Sequence, residues 1–177
     1  MNELHPRVIA DEFIPTGEDP CSAGVCRERL CGRMKRELGF FGFLADEDLD
    51  EVAGYFECRQ IPAGQALWRE GEAGGFAAFV VSGRVELNKR TTFEHSPVVV
   101  GLFSRGALLG ELALLDDAPR AESAVALDRV DLILLTRECY ARLLEERPTL
   151  GVKLQQGMLL TVAMRLKKSF DRLAAIF

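Results

Sequence analysis

Phe79-Val80-Val81-Ser82-Gly83-Arg84-Val85-Glu86-Leu87-Asn88 decides the fold class of this chain. A short apolar run meets a serine–glycine break, and an alternating run follows it. Alternation puts successive side chains on opposite faces of a strand, so Val85 to Asn88 reads as half-buried β structure. The same texture extends outward from Ile61 to Leu135. Ile61-Pro62-Ala63-Gly64, Gly71 and Gly74-Gly75 punctuate its upstream side. Val98 to Phe103, Ala124 to Leu127 and Leu132 to Leu135 continue it downstream. Strands of roughly four to six residues, with turns this frequent, indicate an antiparallel barrel or sandwich. No βαβ spacing, internal repeat or low-complexity tract is present.

Helical patterns flank this core. Residues 1–26 hold Pro6, Pro15, Pro20, Gly17 and Gly24 and read as an irregular lead-in. Residues 27–58 read as N-terminal helices. Leu30, Met34 and Leu38 recur every four positions over Arg27–Leu38, and a second helix is expected after Asp46 as N-cap, burying Leu49, Val52, Ala53 and Phe56. The β-roll then occupies residues 59–136, and residues 137–177 form a helical hairpin. Its first arm, Arg137 to Glu146, stops at Arg147-Pro148, and Pro148 suits the first turn of a long helix towards Phe177. In that helix Val152, Gln155, Leu159, Val162, Leu166, Ser169, Leu173 and Ile176 follow an alternating 3,4 spacing, a coiled-coil-like seam. So long a helix has limited barrel to cover. The seam is therefore expected to meet a twin helix in a homodimer, packing on its own barrel being the alternative.

Composition narrows the function classes. The chain has 177 residues, 48% apolar and 28% charged, enough for one domain with a normal core. A net charge of −5 argues against broad nucleic-acid or anionic-membrane binding. No apolar run approaches the roughly 20 residues of a bilayer span. The N-terminus MNELHPRVIADEF lacks the features of a secretory signal, so the expected compartment is the cytoplasm. The five cysteines are accordingly expected to be reduced thiols. Cys21, Cys26 and Cys31, with Cys58 later, match no usual zinc or cluster spacing, although a metal or redox role for them stays open. Cys139 reads as core. His5 and His95 lie far apart beside no nucleophile, and no catalytic set emerges. Arg165, Lys167, Lys168 and Arg172 give the last helix a basic side, which reads as a solvated face. Arg165 could reach a ligand if the helix folds over a pocket.

The chemistry concentrates in Gly106-Ala107-Leu108-Leu109-Gly110-Glu111-Leu112-Ala113-Leu114, followed by Pro119-Arg120-Ala121. Two glycines frame a tight turn whose N–H groups can point at an anion, and Glu111 to Leu114 can add one helical turn. Arg120 offers a planar fork suited to phosphate. The Glu111 carboxylate repels an anion but accepts from hydroxyls such as those of a ribose. Together these groups describe a site for a ribose phosphate.

Gly110-Glu111-Leu112-Ala113-Leu114 with Pro119-Arg120-Ala121 resembles the phosphate-binding cassette of cyclic-nucleotide-binding domains, the family of the catabolite activator protein and protein kinase A regulatory subunits. Ile61-Pro62-Ala63-Gly64, Leu67, Glu70-Gly71, Ser82-Gly83-Arg84-Val85 and the hairpin around Pro148 are similar to its other landmarks, over roughly residues 40–175. The resemblance implies a double-stranded β-helix, a jelly-roll-like barrel with N-terminal helices and a long C-terminal helix. It implies that Glu111 binds the ribose 2′-hydroxyl and Arg120 the cyclic phosphate. Gly110, Leu112, Ala113 and Ala121 would give backbone contacts, and the long helix would close over the base. Ala121 stands where relatives preferring cyclic GMP often carry Thr, which leans towards cyclic AMP. Glu122 departs from the family's usual small residue. A carboxylate about 6 Å from the phosphate, at an effective dielectric near 20, would cost about 3 kcal/mol. It could pair with Arg120 instead, or point away.

The expected function is thus a cyclic-nucleotide sensor, not an enzyme, with no cofactor beyond the ligand and a protein partner or homodimer as output. One alternative is a ligand-free interaction module in which Arg120 and Glu111 merely pair with each other. Another is a truncated transcription regulator, since the helix-turn-helix of the activator type would begin where this chain ends, at Phe177.

Overall fold

The computed structural model describes residues 39–91, 97–116 and 118–175. Eight strands run through the centre: β1 (Glu57–Ile61), β2 (Ala66–Trp68), β3 (Phe76–Ser82), β4 (Val85–Arg90), β5 (Pro97–Phe103), β6 (Leu108–Leu109), β7 (Ser123–Ala126) and β8 (Val130–Thr136). Among the described residues, three α-helices flank them: α1 (Asp46–Val52), α2 (Arg137–Glu146) and α3 (Pro148–Ala174). The strands form two antiparallel four-stranded sheets, ordered β1-β8-β3-β6 and β2-β7-β4-β5. This is the expected jelly-roll architecture, with one correction: the sheets do not close into a barrel. They pack face to face, and among the described residues no strand of one sheet pairs with a strand of the other.

Two cores result. Ala78, Val80, Leu132 and Leu134 of the first sheet meet Trp68, Val85, Leu87, Ala124 and Ala126 of the second. The alternate residues of β3 and β8, namely Ala77, Phe79, Val81, Ile133 and Leu135, face the opposite way and pack under the helices. Strands buried on both faces need apolar residues at every position, which is why β3 and β8 read as unbroken runs. The second sheet has only one covered face, so β4 alternates buried and half-buried residues. At the centre of the helix-side core Phe79 lies 4.8 Å from the Phe40 ring centroid, 5.0 Å from that of Phe41 and 5.6 Å from that of Phe56.

The N-cap of α1 is Ala45 and not Asp46. Its amide donates to the Asp48 carboxylate at 3.1 Å, so a side chain three residues on does the capping. Asp48 also meets Lys153 of α3 at 2.6 Å, tying α1 to the long helix. Leu49 and Val52 are buried on α1 as expected, whereas Ala53 and Phe56 are buried just beyond its end. The helix read over Arg27–Leu38 lies outside the described residues. Thr136 caps α2 by accepting from the Cys139 amide at 3.2 Å, and Pro148 opens α3.

The cysteines correct a second expectation. Cys58 and Cys139 are both disulfide-bonded, not reduced. Pairing depends on which sulfurs the fold brings together, and spacing along the chain does not report that. Cys139 is fully buried, as read. Cys21, Cys26, Cys31, His5 and His95 lie outside the described residues, and no metal-holding group of three side chains occurs among those described. No described helix is long and apolar enough to cross a membrane.

Helix α3 buries an unexpected stripe. Leu150, Gly151, Leu154, Gly157 and Met158 face the body. The seam residues Val152, Leu159, Leu166 and Leu173 are exposed, with Leu159 at 70%. Ile176 lies outside the described residues. Gln155 of the seam is half-buried.

Candidate functional site

The turn at Gly110 starts the site. Gly110 takes φ +68°, a conformation that costs other residues dearly, and turns the chain from β6 into a 3-10 turn over Glu111–Leu114. The expected single helical turn is therefore present. The Ala113 amide donates back to the Gly110 carbonyl at 3.1 Å. Pro119 to Glu122 return as an irregular strap, and β7 begins at Ser123. The strap is pinned to the β2–β3 turn: the Arg120 amide donates to the Glu72 carbonyl and the Gly71 amide to that of Arg120, both at 2.8 Å. Lys89 of β4 clamps it from the other side, donating to the Ala121 carbonyl at 2.6 Å.

The Arg120 side chain runs inward. It is 6% exposed, and its guanidinium carbon lies 4.0 Å from the Trp68 ring and 4.7 Å from the Phe76 ring. Nη2 donates to the Phe76 carbonyl at 2.8 Å, and Nη1 makes a long contact of 3.4 Å to the Gly110 carbonyl. Among the described residues Nε has no acceptor, and neither has the buried indole Nε1 of Trp68. Burial of a cation without a paired carboxylate pushes the Arg120 pKa down to about 10, with the charges of Glu122 and Glu72 acting in the opposite direction. Glu122 is thus near enough to feel Arg120 electrostatically, yet it forms no ion pair with it among the described residues. Strand parity does not orient Glu122, because β7 starts after it.

Glu111 is engaged elsewhere. Its carboxylate accepts from Arg165 of α3 at 3.3 Å, with the Glu111 side chain 17% exposed. Arg165 also donates to the Leu108 carbonyl and lies 5.1 Å from the Phe103 ring centroid. The long helix therefore folds over the cassette, and Arg165 belongs to the site instead of a solvated face. Beyond Met158 on the described helix, only Thr161 and Arg165 are half-buried. The structure brings Gly110, Glu111, Leu112, Ala113, Arg120 and Ala121 into one region, with Leu112 exposed and Ala113 buried. It does not pair Arg120 with Glu111, as the ligand-free alternative supposed. Sequence reasoning missed Trp68 and Phe76. The signal available was an aromatic at the end of β2 and another at the start of β3, flanking the turn that pins Arg120.

Comparisons with known proteins bear on the family of the fold. The sequence model of the "Cyclic nucleotide-binding domain" family matches residues 58–147. A cyclic AMP receptor protein of Thermus thermophilus is 36% identical over 65% of this chain and 52% of its own length. A cAMP-dependent protein kinase regulatory subunit of Mycosarcoma maydis is 30% identical over 67% of this chain, but over 23% of its own length. The chain thus spans about half, or less, of these curated relatives. A crystallised cyclic nucleotide-binding domain from Methylobacillus flagellatus superposes with a TM-score of 0.75 at 25% identity, covering 88% of this chain and 86% of that one. A glycine turn, a buried arginine, a carboxylate under a folded-over helix and a family match across the β core lead to one conclusion: this chain belongs to the cyclic nucleotide-binding domain family.

Proposed function

We propose that this domain senses a cyclic nucleotide, cyclic AMP in preference to cyclic GMP, and passes the signal through α3. The observation that carries the reading is the contact between Arg165 and Glu111. The helix that would transmit the signal is held to the carboxylate that would accept the ribose hydroxyl. Gly110, Leu112, Ala113 and Ala121 would contribute backbone contacts, Arg120 would meet the phosphate, and the small Ala121 supports the choice of adenine. The role is regulatory and not catalytic.

The exposed seam of α3 supports a homodimer as the output. Residues 159–174 extend for about 24 Å with little cover from their own chain, and a helix of that length is marginal alone in water. Leu159, Leu166 and Leu173 are free to pair with the same residues of a second copy. A separate protein partner on the seam would be the other route.

Calorimetric titration with cyclic AMP and cyclic GMP tests the reading. Saturable binding, stronger for cyclic AMP and abolished in Arg120→Ala, is expected. No heat and no melting shift at millimolar nucleotide would overturn it. The second reading, a ligand-free interaction module, is favoured by the inward course of Arg120 and the nearby charge of Glu122. It expects a partner contact insensitive to Arg120→Ala.

A further inference from the structure

Arg120 poses a question that phosphate binding alone does not answer: why a side chain meant for phosphate should be stacked on an indole and bonded to main-chain carbonyls. Trp68 is 2% exposed and Arg120 6%, so neither offers an open approach to an anion. The two NH₂ groups of the guanidinium are turned to the Phe76 and Gly110 carbonyls. A β-carbon on Gly110 would collide with Nη1 and lie 3.2 Å from Trp68 Cη2, so the cassette turn sits directly against this stack. The arrangement is also incomplete. Nε of Arg120 and Nε1 of Trp68 are both buried without acceptors, a state that costs free energy until an acceptor arrives.

We propose that Trp68 is a positioning residue that latches Arg120 in a ligand-free position, and that a phosphate ligand must draw the guanidinium away from the Trp68 and Phe76 rings. This rests on the nucleotide-binding reading and deepens it. Glu111 is held by Arg165 and Arg120 by Trp68 and Phe76, so both ligand-facing groups are occupied by the protein itself. Release of Arg120 forfeits a desolvated cation–π contact, which opposes binding. The Gly110 carbonyl keeps the Ala113 amide as a donor when Arg120 leaves, so opening the latch does not orphan it. Weakening the stack should therefore tighten the ligand. By this account Trp68, and not Glu122 alone, sets the pocket's affinity for a cyclic phosphate.

The sequence contains a single tryptophan, so its fluorescence reports on the latch directly. The test uses the full chain, Trp68→Phe, Trp68→Leu and Arg120→Met. Calorimetry with cyclic AMP should show Trp68→Leu binding about tenfold or more tighter than the parent, with Trp68→Phe between them. Tryptophan emission of the parent should change with the same saturation curve. Arg120→Met should show the ligand-like emission before any nucleotide is added. Binding by the parent with unchanged emission, or with Trp68→Phe no tighter, would overturn the latch and leave the nucleotide reading standing. No binding by the parent or either Trp68 variant would overturn the nucleotide reading and the latch with it. Should Trp68→Leu fail to fold, Trp68→Phe and the emission comparison still decide.

Discussion

Replacing Gly110 by Ala tests the packing at the heart of the site, and the structure allows the cost to be worked out in two parts. At φ +68° a β-carbon meets its own backbone, at about 1–2 kcal/mol. The second part is the collision of that carbon with Arg120 Nη1 and its tight approach to Trp68. A guanidinium tip normally swings aside cheaply. Here it lies against two rings, bonded to the Phe76 carbonyl and buried, so moving it breaks those contacts. Forcing atoms into a packed core of this kind costs about 1–3 kcal/mol. The total is about 2–5 kcal/mol.

Gly106→Ala is the matched control. Gly106 has φ +86°, and nothing lies within 4 Å of the position its β-carbon would take. It carries the backbone part alone, about 1–2 kcal/mol. Urea unfolding of the two variants beside the parent protein, with unchanged slopes, gives the difference directly. Gly110→Ala should be the less stable by about 1–3 kcal/mol. Equal losses would refute the reasoning, because they would mean that Arg120 yields freely and is not fixed by Trp68 and Phe76.

Phe79→Ala removes the ring around which Phe40, Phe41 and Phe56 gather and should cost about 3–5 kcal/mol in chemical denaturation. Thr136→Ala deletes the acceptor for the Cys139 amide at the start of α2 and should lower stability by about 1 kcal/mol, with Thr136→Ser nearly neutral in the same assay. Asp48→Asn should weaken the tie between α1 and α3. The Lys153 hydrogen bond holds the Asp48 carboxyl below the ordinary carboxylate value of 3.8, so its stabilisation is present above that value and lost as pH falls through the lowered one. Denaturation of parent and variant should differ by about 0.5–1 kcal/mol at pH 7, a screened, partly exposed pair, and converge in strong acid.

What the sequence disclosed depended on whether a feature was local. The turn at Ser82-Gly83, Pro148 at the head of α3 and the glycine-framed cassette are short-range devices, and each is where its residues said. The faces of β3 and β8 were harder, since an unbroken apolar run carries no parity. The stripe buried by α3 was misleading for a definite reason. Two apolar stripes share that helix, and the one facing the body includes Gly151 and Gly157, whose close packing against Leu144 and Phe43 leaves no hydrophobic signal. The seam at Val152 and Leu159 was the more regular pattern, and it faces solvent. The direction of Arg120 was not legible at all. It depends on Trp68 and Phe76, distant in sequence and adjacent only in the fold.

Under the proposed nucleotide-sensing role, ligand and helix would compete for one group. Arg165 is the one long side chain beyond Met158 on the described helix that is half-buried, and Glu111 is its ion-pair partner. A ribose hydroxyl donating to Glu111 must share that carboxylate with Arg165 or displace it. If it shares, the helix is held more firmly and α3 closes on binding. If it displaces, the distal half of α3 loses its charged tether to the cassette. Either way the free energy of the ligand contact appears in the helix, because a ligand shifts an equilibrium only through groups that differ between the two states. Glu111 is such a group. Under the same proposal Arg120, buried and short of one acceptor, would be another.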